Sequence, residues 1–83
     1  MAHPPVDAMR WDEMSIREIL ELAISDEEEA REYYRRAADL TGNMHTRRVL
    51  LNLSEMEQGH ADSLRKELEE LQLQREIEEG MVD

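Results

Sequence analysis

An all-α fold is predicted for this sequence: a two-helix antiparallel hairpin that dimerises into a four-helix bundle. Three observations predict it. Helix formers dominate the composition, with two Pro, three Gly and no Cys in 83 residues, so helices are favoured locally and neither disulfides nor thiolate metal sites can staple the chain. Two apolar stripes at helical spacing lie on either side of Thr41-Gly42-Asn43, which marks two helices joined by a short turn. A chain this short, with no Phe, one Trp and two Tyr, cannot bury either stripe alone and calls for a second copy.

The elements follow in order. Residues 1–12 hold both prolines, Pro4 and Pro5, and show no periodicity, the pattern of a flexible or loosely docked arm. Trp11 is the natural anchor for that arm or for an interface. The hairpin occupies 13–72. Its first helix starts near Ser15, with Glu18 three residues on as in a capping box. The stripe of that helix is Ile16, Ile19, Leu20, Ala23, Ile24, Glu27, Ala30, Tyr34 and Ala37, and the opposite face carries Glu21, Glu28, Glu32, Arg31, Arg35 and Arg36. Gly42 suits a helix C-terminus and Asn43 an N-cap. The second helix has the stripe Val49, Leu50, Leu53, Met56, Glu57, His60, Leu64, Leu68 and Leu71, with Arg47 and Arg48 opposing the dipole in its first turns. Residues 73–83 form a helical extension or a tail, either continuous with the second helix or broken into a short third segment before Gly80.

A net charge of −11 argues against nucleic acid and anionic membrane surfaces and favours cations, divalent metals above all. No run approaches a membrane span and the first residues lack a signal-peptide pattern, so a cytoplasmic location is expected.

Three ligand-type residues fall inside the apolar stripes: Glu27, Glu57 and His60. A carboxylate placed there is costly unless something positive neutralises it. Taking Asn43 as the turn, Glu27 lies 16 residues before it and Glu57 and His60 lie 14 and 17 after it, so all three arrive at about the same height. Glu57 and His60, at i and i+3, share one face. A lone Glu at such a position is ordinarily a snorkelling surface residue and a lone His a hydrogen-bonded core residue; the conjunction is what points to metal. One hairpin offers too few ligands for a pair of ions, whereas two hairpins about a twofold axis give four carboxylates and two histidines, the ligand set of ferritin-like di-iron bundles. Such ligation suits Fe, with Mn possible, better than zinc. Tyr34, one heptad beyond Glu27, reads either as core filler or as a hydrogen-bond donor to a ligand carboxylate. Asp26, Glu29 and Tyr33 lie one residue off the stripe, either as a solvated edge or, across a twofold interface, as a cation-attracting cluster. His3 and His45 have no partner ligands in sequence and read as surface residues.

The pattern Ala23-Ile24-x-x-Glu27-x-x-Ala30-x-x-Tyr33-Tyr34, followed by Glu57-x-x-His60, resembles the half-bundle of rubrerythrin and ferritin-like proteins. It most resembles the encapsulated ferritin family, short two-helix ferritin-like proteins that ride inside encapsulin shells, over about residues 15–72. The resemblance implies a ferroxidase whose di-iron centre, bound by Glu27, Glu57 and His60, forms between subunits of a ring-shaped decamer of dimers. It also implies that Asp26, Glu29 and Tyr33 are positions where metal enters, and that Tyr34 is a tyrosine near the centre. Asp26 stands where the family more usually has Glu, Tyr33 where it has Trp, and no shell-targeting peptide is evident in Glu78–Asp83.

The expected activity is oxidation of Fe(II) to Fe(III) for iron storage or detoxification, with an encapsulin shell protein as a possible partner. The alternatives are a rubrerythrin-like peroxide reductase, which the lack of Cys deprives of an internal Cys₄ iron centre, and a metal-free helical oligomerisation module.

Overall fold

The computed structural model describes residues 3–80. Two short 3₁₀ turns, Val6–Ala8 and Trp11–Glu13, lead into helix α1 (Ile16–Leu40), and residues 41–43 connect it to helix α2 (Met44–Gly80). The two helices pack against each other as an antiparallel hairpin, with no strand among the described residues. Among those residues no helix is long and apolar enough to cross a membrane. The last three residues of the tail segment, where the shell-targeting question partly falls, lie outside the described range.

Both helix starts follow the sequence. Ser15 Oγ accepts from the Glu18 amide at 3.1 Å, and Asn43 Oδ1 accepts from the Thr46 amide at 2.9 Å, so each helix has a side-chain oxygen on one of its unsatisfied N–H groups. The end of α1 differs from expectation. Thr41, not Gly42, is the C-cap, with an extended backbone (φ −85°, ψ 136°), and no described glycine has positive φ. The reason is Arg47. From the first turns of α2 its Nε donates to Ala38 O (3.1 Å) and its Nη2 to Thr41 O (2.9 Å). A guanidinium on the orphan carbonyls of α1 replaces a left-handed cap and places positive charge at the negative end of that helix dipole. The same residue that disfavours its own helix start closes the neighbouring helix end.

The 25-residue α1 and 37-residue α2 run about 37 and 55 Å. Arg17 Nη1 donates to Gln72 Oε1 (2.7 Å), which sets the start of α1 beside Gln72 and leaves α2 to continue unbroken to Gly80. A separate third segment is thereby ruled out among the described residues. The i, i+4 contacts Gln72–Glu76 (3.5 Å) and Arg75–Glu79 (3.3 Å) support that continuation. Leu73 and Ile77 on it are exposed.

Small residues, not the predicted large ones, make the closest helix contact. Among the described residues Ala38, Ala61 and Ser54 are the buried ones, and no large side chain is fully buried. Ser54 Oγ donates to the Arg31 carbonyl across the pair (3.3 Å). Most of the expected stripe is half-buried, but Ile16, Val49, Met56 and His60 are exposed. A two-helix slab has no second layer, so any stripe wider than the contact line stays open. The dimensions agree: extents of 63 × 28 × 12 Å and a radius of gyration of 17.2 Å, against about 12 Å for a compact domain of this length. The accessible surface of 6707 Å² likewise exceeds the roughly 5,200 Å² of a compact monomer of this mass.

The arm packs along α1. Trp11 Nε1 donates to Val6 O (3.1 Å), and Val6, Met9 and Trp11 share a recess with Ile19, Leu22 and Ala23. The charged face is cross-linked more than expected. Glu28 pairs with Arg65 of α2, and Arg31, expected on the solvent face, is half-buried with its Nη1 donating to Gln58 Oε1.

Arg47→Ala is expected to destabilise the hairpin by about 1–2 kcal/mol, the worth of a charge-assisted carbonyl cap. The neighbouring Arg48→Ala should change stability by less than about 0.5 kcal/mol. Thermal unfolding followed by far-UV circular dichroism compares the two; equal shifts would rule out the cap.

Candidate metal centre

Halfway along the hairpin, α1 contributes Glu27 and α2 contributes Glu57 and His60. Each of the three offers a ligand atom, and these atoms all lie within 4.8 Å of one another. His60 Nδ1 stands 3.5 Å from Glu27 Oε2 and 3.7 Å from Glu57 Oε2. The height match predicted from the turn at Asn43 is therefore met, and one helical turn brings Glu57 and His60 to the same side of α2.

The burial of the three is unequal. The Glu27 and Glu57 side chains are 26% and 19% exposed, and His60 is 57% exposed. The expectation that all three point inward holds for the carboxylates and not for the imidazole. His60 lies on the outer flank of α2, four residues after exposed Met56 and eleven after exposed Val49, positions that share a helix face. In a lone hairpin nothing covers that face.

Glu27 Oε2 is inaccessible to solvent and has no hydrogen-bond partner, since His60 Nδ1 at 3.5 Å is too distant for a good bond. An orphaned acceptor of this kind costs about 1–3 kcal/mol. It suits a hard cation drawing on mixed carboxylate and imidazole donors, the combination that favours Fe or Mn. The donor set therefore fits a metal ion with open positions, Glu27, Glu57 and His60 being the residues able to hold it.

The other predicted positions sit nearby without joining this cluster. Tyr34 is half-buried, and its ring meets Tyr33 edge-on (centroids 5.6 Å apart, 77° between planes). No hydrogen bond links its hydroxyl to a carboxylate among the described residues. Asp26, Glu29 and Tyr33 line one groove on α1 together with His3 and Arg36. His3, expected to lack a partner, has Nε2 only 2.6 Å from Asp26 Oδ2, because the arm folds back along α1. Sequence spacing could not reveal that pairing. In the same groove the Arg36 guanidinium hydrogen-bonded to Glu32 holds that carboxyl below its usual range. His45 is exposed, as expected.

The fold is a helical hairpin, and these donors make a possible carboxylate and histidine metal site on it. The rubrerythrin family model matches residues 18–82, and the protein belongs to that family, within the ferritin-like di-iron superfamily. Its members are commonly redox-active di-iron proteins. No curated protein and no solved structure is a significant match to the chain.

Glu27→Leu is expected to raise the stability of metal-free protein by about 1 kcal/mol, because it replaces a carboxylate with one unbonded, solvent-inaccessible oxygen by an apolar group. The same substitution should erase any rise in melting temperature on adding Fe(II) or Mn(II). Calorimetry with and without metal tests both halves, and a destabilised metal-free variant would show that the carboxylate is satisfied after all.

Proposed function

We propose that the protein is a ferroxidase that oxidises Fe(II) to Fe(III) for iron storage or detoxification. The observation that carries this is the convergence of Glu27 and Glu57 between the helices with His60 on the open apolar flank of a hairpin in a family of di-iron proteins. Two hairpins related by a twofold axis bring two such sets face to face. They cover Val49 and Met56 and enclose His60. The resulting four carboxylates match the charge of two ferrous ions, which are the substrate.

In this reading Glu27 and Glu57 would hold the ions through their carboxylates, and His60 would add an imidazole donor. The partner hairpin excludes bulk water, which strengthens every charge interaction in the site. Each Fe(II) gives up one electron; the pair, with two protons from water, reduces O₂ to hydrogen peroxide or hydrogen peroxide to two water molecules. Asp26, Glu29 and Tyr33, which line a groove on the helix that carries Glu27, serve as positions where metal enters; Tyr34 supports the centre from one heptad away. A hairpin this thin encloses no mineral cavity, so storage requires a separate compartment. An encapsulin shell in the cytoplasm, with the dimers gathered into a decameric ring, fits that need. Mn in place of Fe is the alternative occupant.

The family match itself favours a second reading, a rubrerythrin-like peroxide reductase. These 83 residues contain no Cys, so electrons would have to come from a separate donor. Reductant-driven formation of water supports that reading, and net accumulation of Fe(III) supports the first.

Glu57→Ala and His60→Ala are each expected to reduce Fe(II)-dependent oxygen consumption to the rate of buffer alone. Sedimentation of the native chain should show Fe(II) driving monomer towards dimer, and a chelator reversing it. Unchanged turnover in either variant would remove the ligand assignment, while a metal-indifferent particle would leave only a helical oligomerisation module.

A further inference from the structure

α1 carries an arginine where a hairpin built for stability alone would carry a leucine. Arg31 belongs to the line of α1 that faces α2, following Arg17 and Ile24 and preceding Ala38 at seven-residue steps. Arg17 on that line bonds to Gln72, and Ala38 is buried. A surface arginine lays its stem on apolar neighbours and keeps its head in water. Arg31 is instead half-buried, with Nε shut off from solvent and lacking a partner.

The sequence also offers Arg31 a carboxylate at i−4, Glu27, in the favourable orientation for an ion pair. Glu27 faces His60, while Arg31 Nη1 donates to Gln58 Oε1 on α2. The Arg31 carbonyl accepts from Ser54 Oγ at 3.3 Å. Both bonds cross between the helices next to the candidate centre: Gln58 is adjacent to Glu57, Ser54 is one turn before it, and Arg31 is one turn from Glu27.

We infer that Arg31 is a positioning residue for the Glu27–Glu57–His60 site, its ties to Gln58 and Ser54 fixing the height at which α1 meets α2. The inference rests on the metal-binding reading of that site. Packing alone specifies this height poorly, because the buried residues among those described are Ala38, Ser54 and Ala61, small residues with little to interlock. A slip of one residue moves a side chain about 1.5 Å along the axis and turns it by about 100°. That is enough to scatter donors gathered within 4.8 Å. Polar contacts at core positions are a known means of setting register at some expense in stability. By bonding to Gln58, the guanidinium also leaves the Glu27 carboxylate available to a cation.

The test uses the full chain and Co(II), followed by visible absorption, with thermal melting of metal-free protein alongside. Arg31→Met is expected to weaken Co(II) binding by about tenfold or more and to alter the Co(II) spectrum, while the metal-free melting temperature holds or rises. Gln58→Leu, which keeps the guanidinium, should give the same loss, and the double variant no more than either single one. Arg31→Lys, which retains a donor for Gln58, should recover part of the affinity. Unchanged Co(II) affinity and spectrum in Arg31→Met and Gln58→Leu, with Glu57→Ala losing Co(II), would overturn the positioning role and leave the site standing. A loss in Arg31→Met without one in Gln58→Leu would overturn the tie as its cause. Retention of Co(II) by Glu57→Ala would overturn the site and this inference together. If Arg31→Met does not fold, Gln58→Leu decides the question.

Discussion

Glu27 Oε2 lies out of reach of solvent without a hydrogen-bond donor, in a chain that already carries a net charge of −11. Water would solvate that oxygen and a surface position would supply it; the fold instead holds it between two helices beside a second carboxylate and an imidazole. Removing charge from water is among the costlier acts a small domain can perform. Here it is performed by a chain whose described residues include no fully buried large side chain. That oxygen is where the cost of the arrangement is concentrated.

The thinness of the hairpin belongs to the same constraint. A 12 Å slab buries its contact line and little else, so the apolar flank bearing Val49, Met56 and His60 remains accessible. On the proposed reading the uncovered flank and the half-complete ligand set are a single deficiency. The surface that a second hairpin would cover for hydrophobic reasons is also the surface where the missing donors are needed. Assembly and chemistry would then respond together to metal.

The architecture was legible in the sequence because period and punctuation agree: Ser15 and Asn43 start the helices where their side chains predict. The convergence of Glu27, Glu57 and His60 was legible for a related reason, since rise per residue and an i, i+3 pair are properties of any α-helix. What escaped depends on relations between segments. Arg47 looks unfavourable within its own helix and becomes intelligible only once the end of α1 lies within its reach. Arg31 belongs by hydropathy to the charged face, yet the axis of contact runs through Ala38, Ser54 and Ala61 and draws it inward. Small residues give weak hydropathy signals, so the true contact line sat to one side of the predicted stripes. His3 pairs with Asp26 through a chain reversal that no periodicity encodes.

The arm has an optical consequence. Trp11 is the sole tryptophan of the chain. It is half-exposed, bonded to Val6 O, and shares its recess with Ile19, Leu22 and Ala23 of α1. Its indole emission therefore originates entirely at the seam between arm and helix, with no background from the hairpin's interior. The molecule carries a built-in fluorophore whose wavelength and quenching register whether residues 3–13 are seated or released.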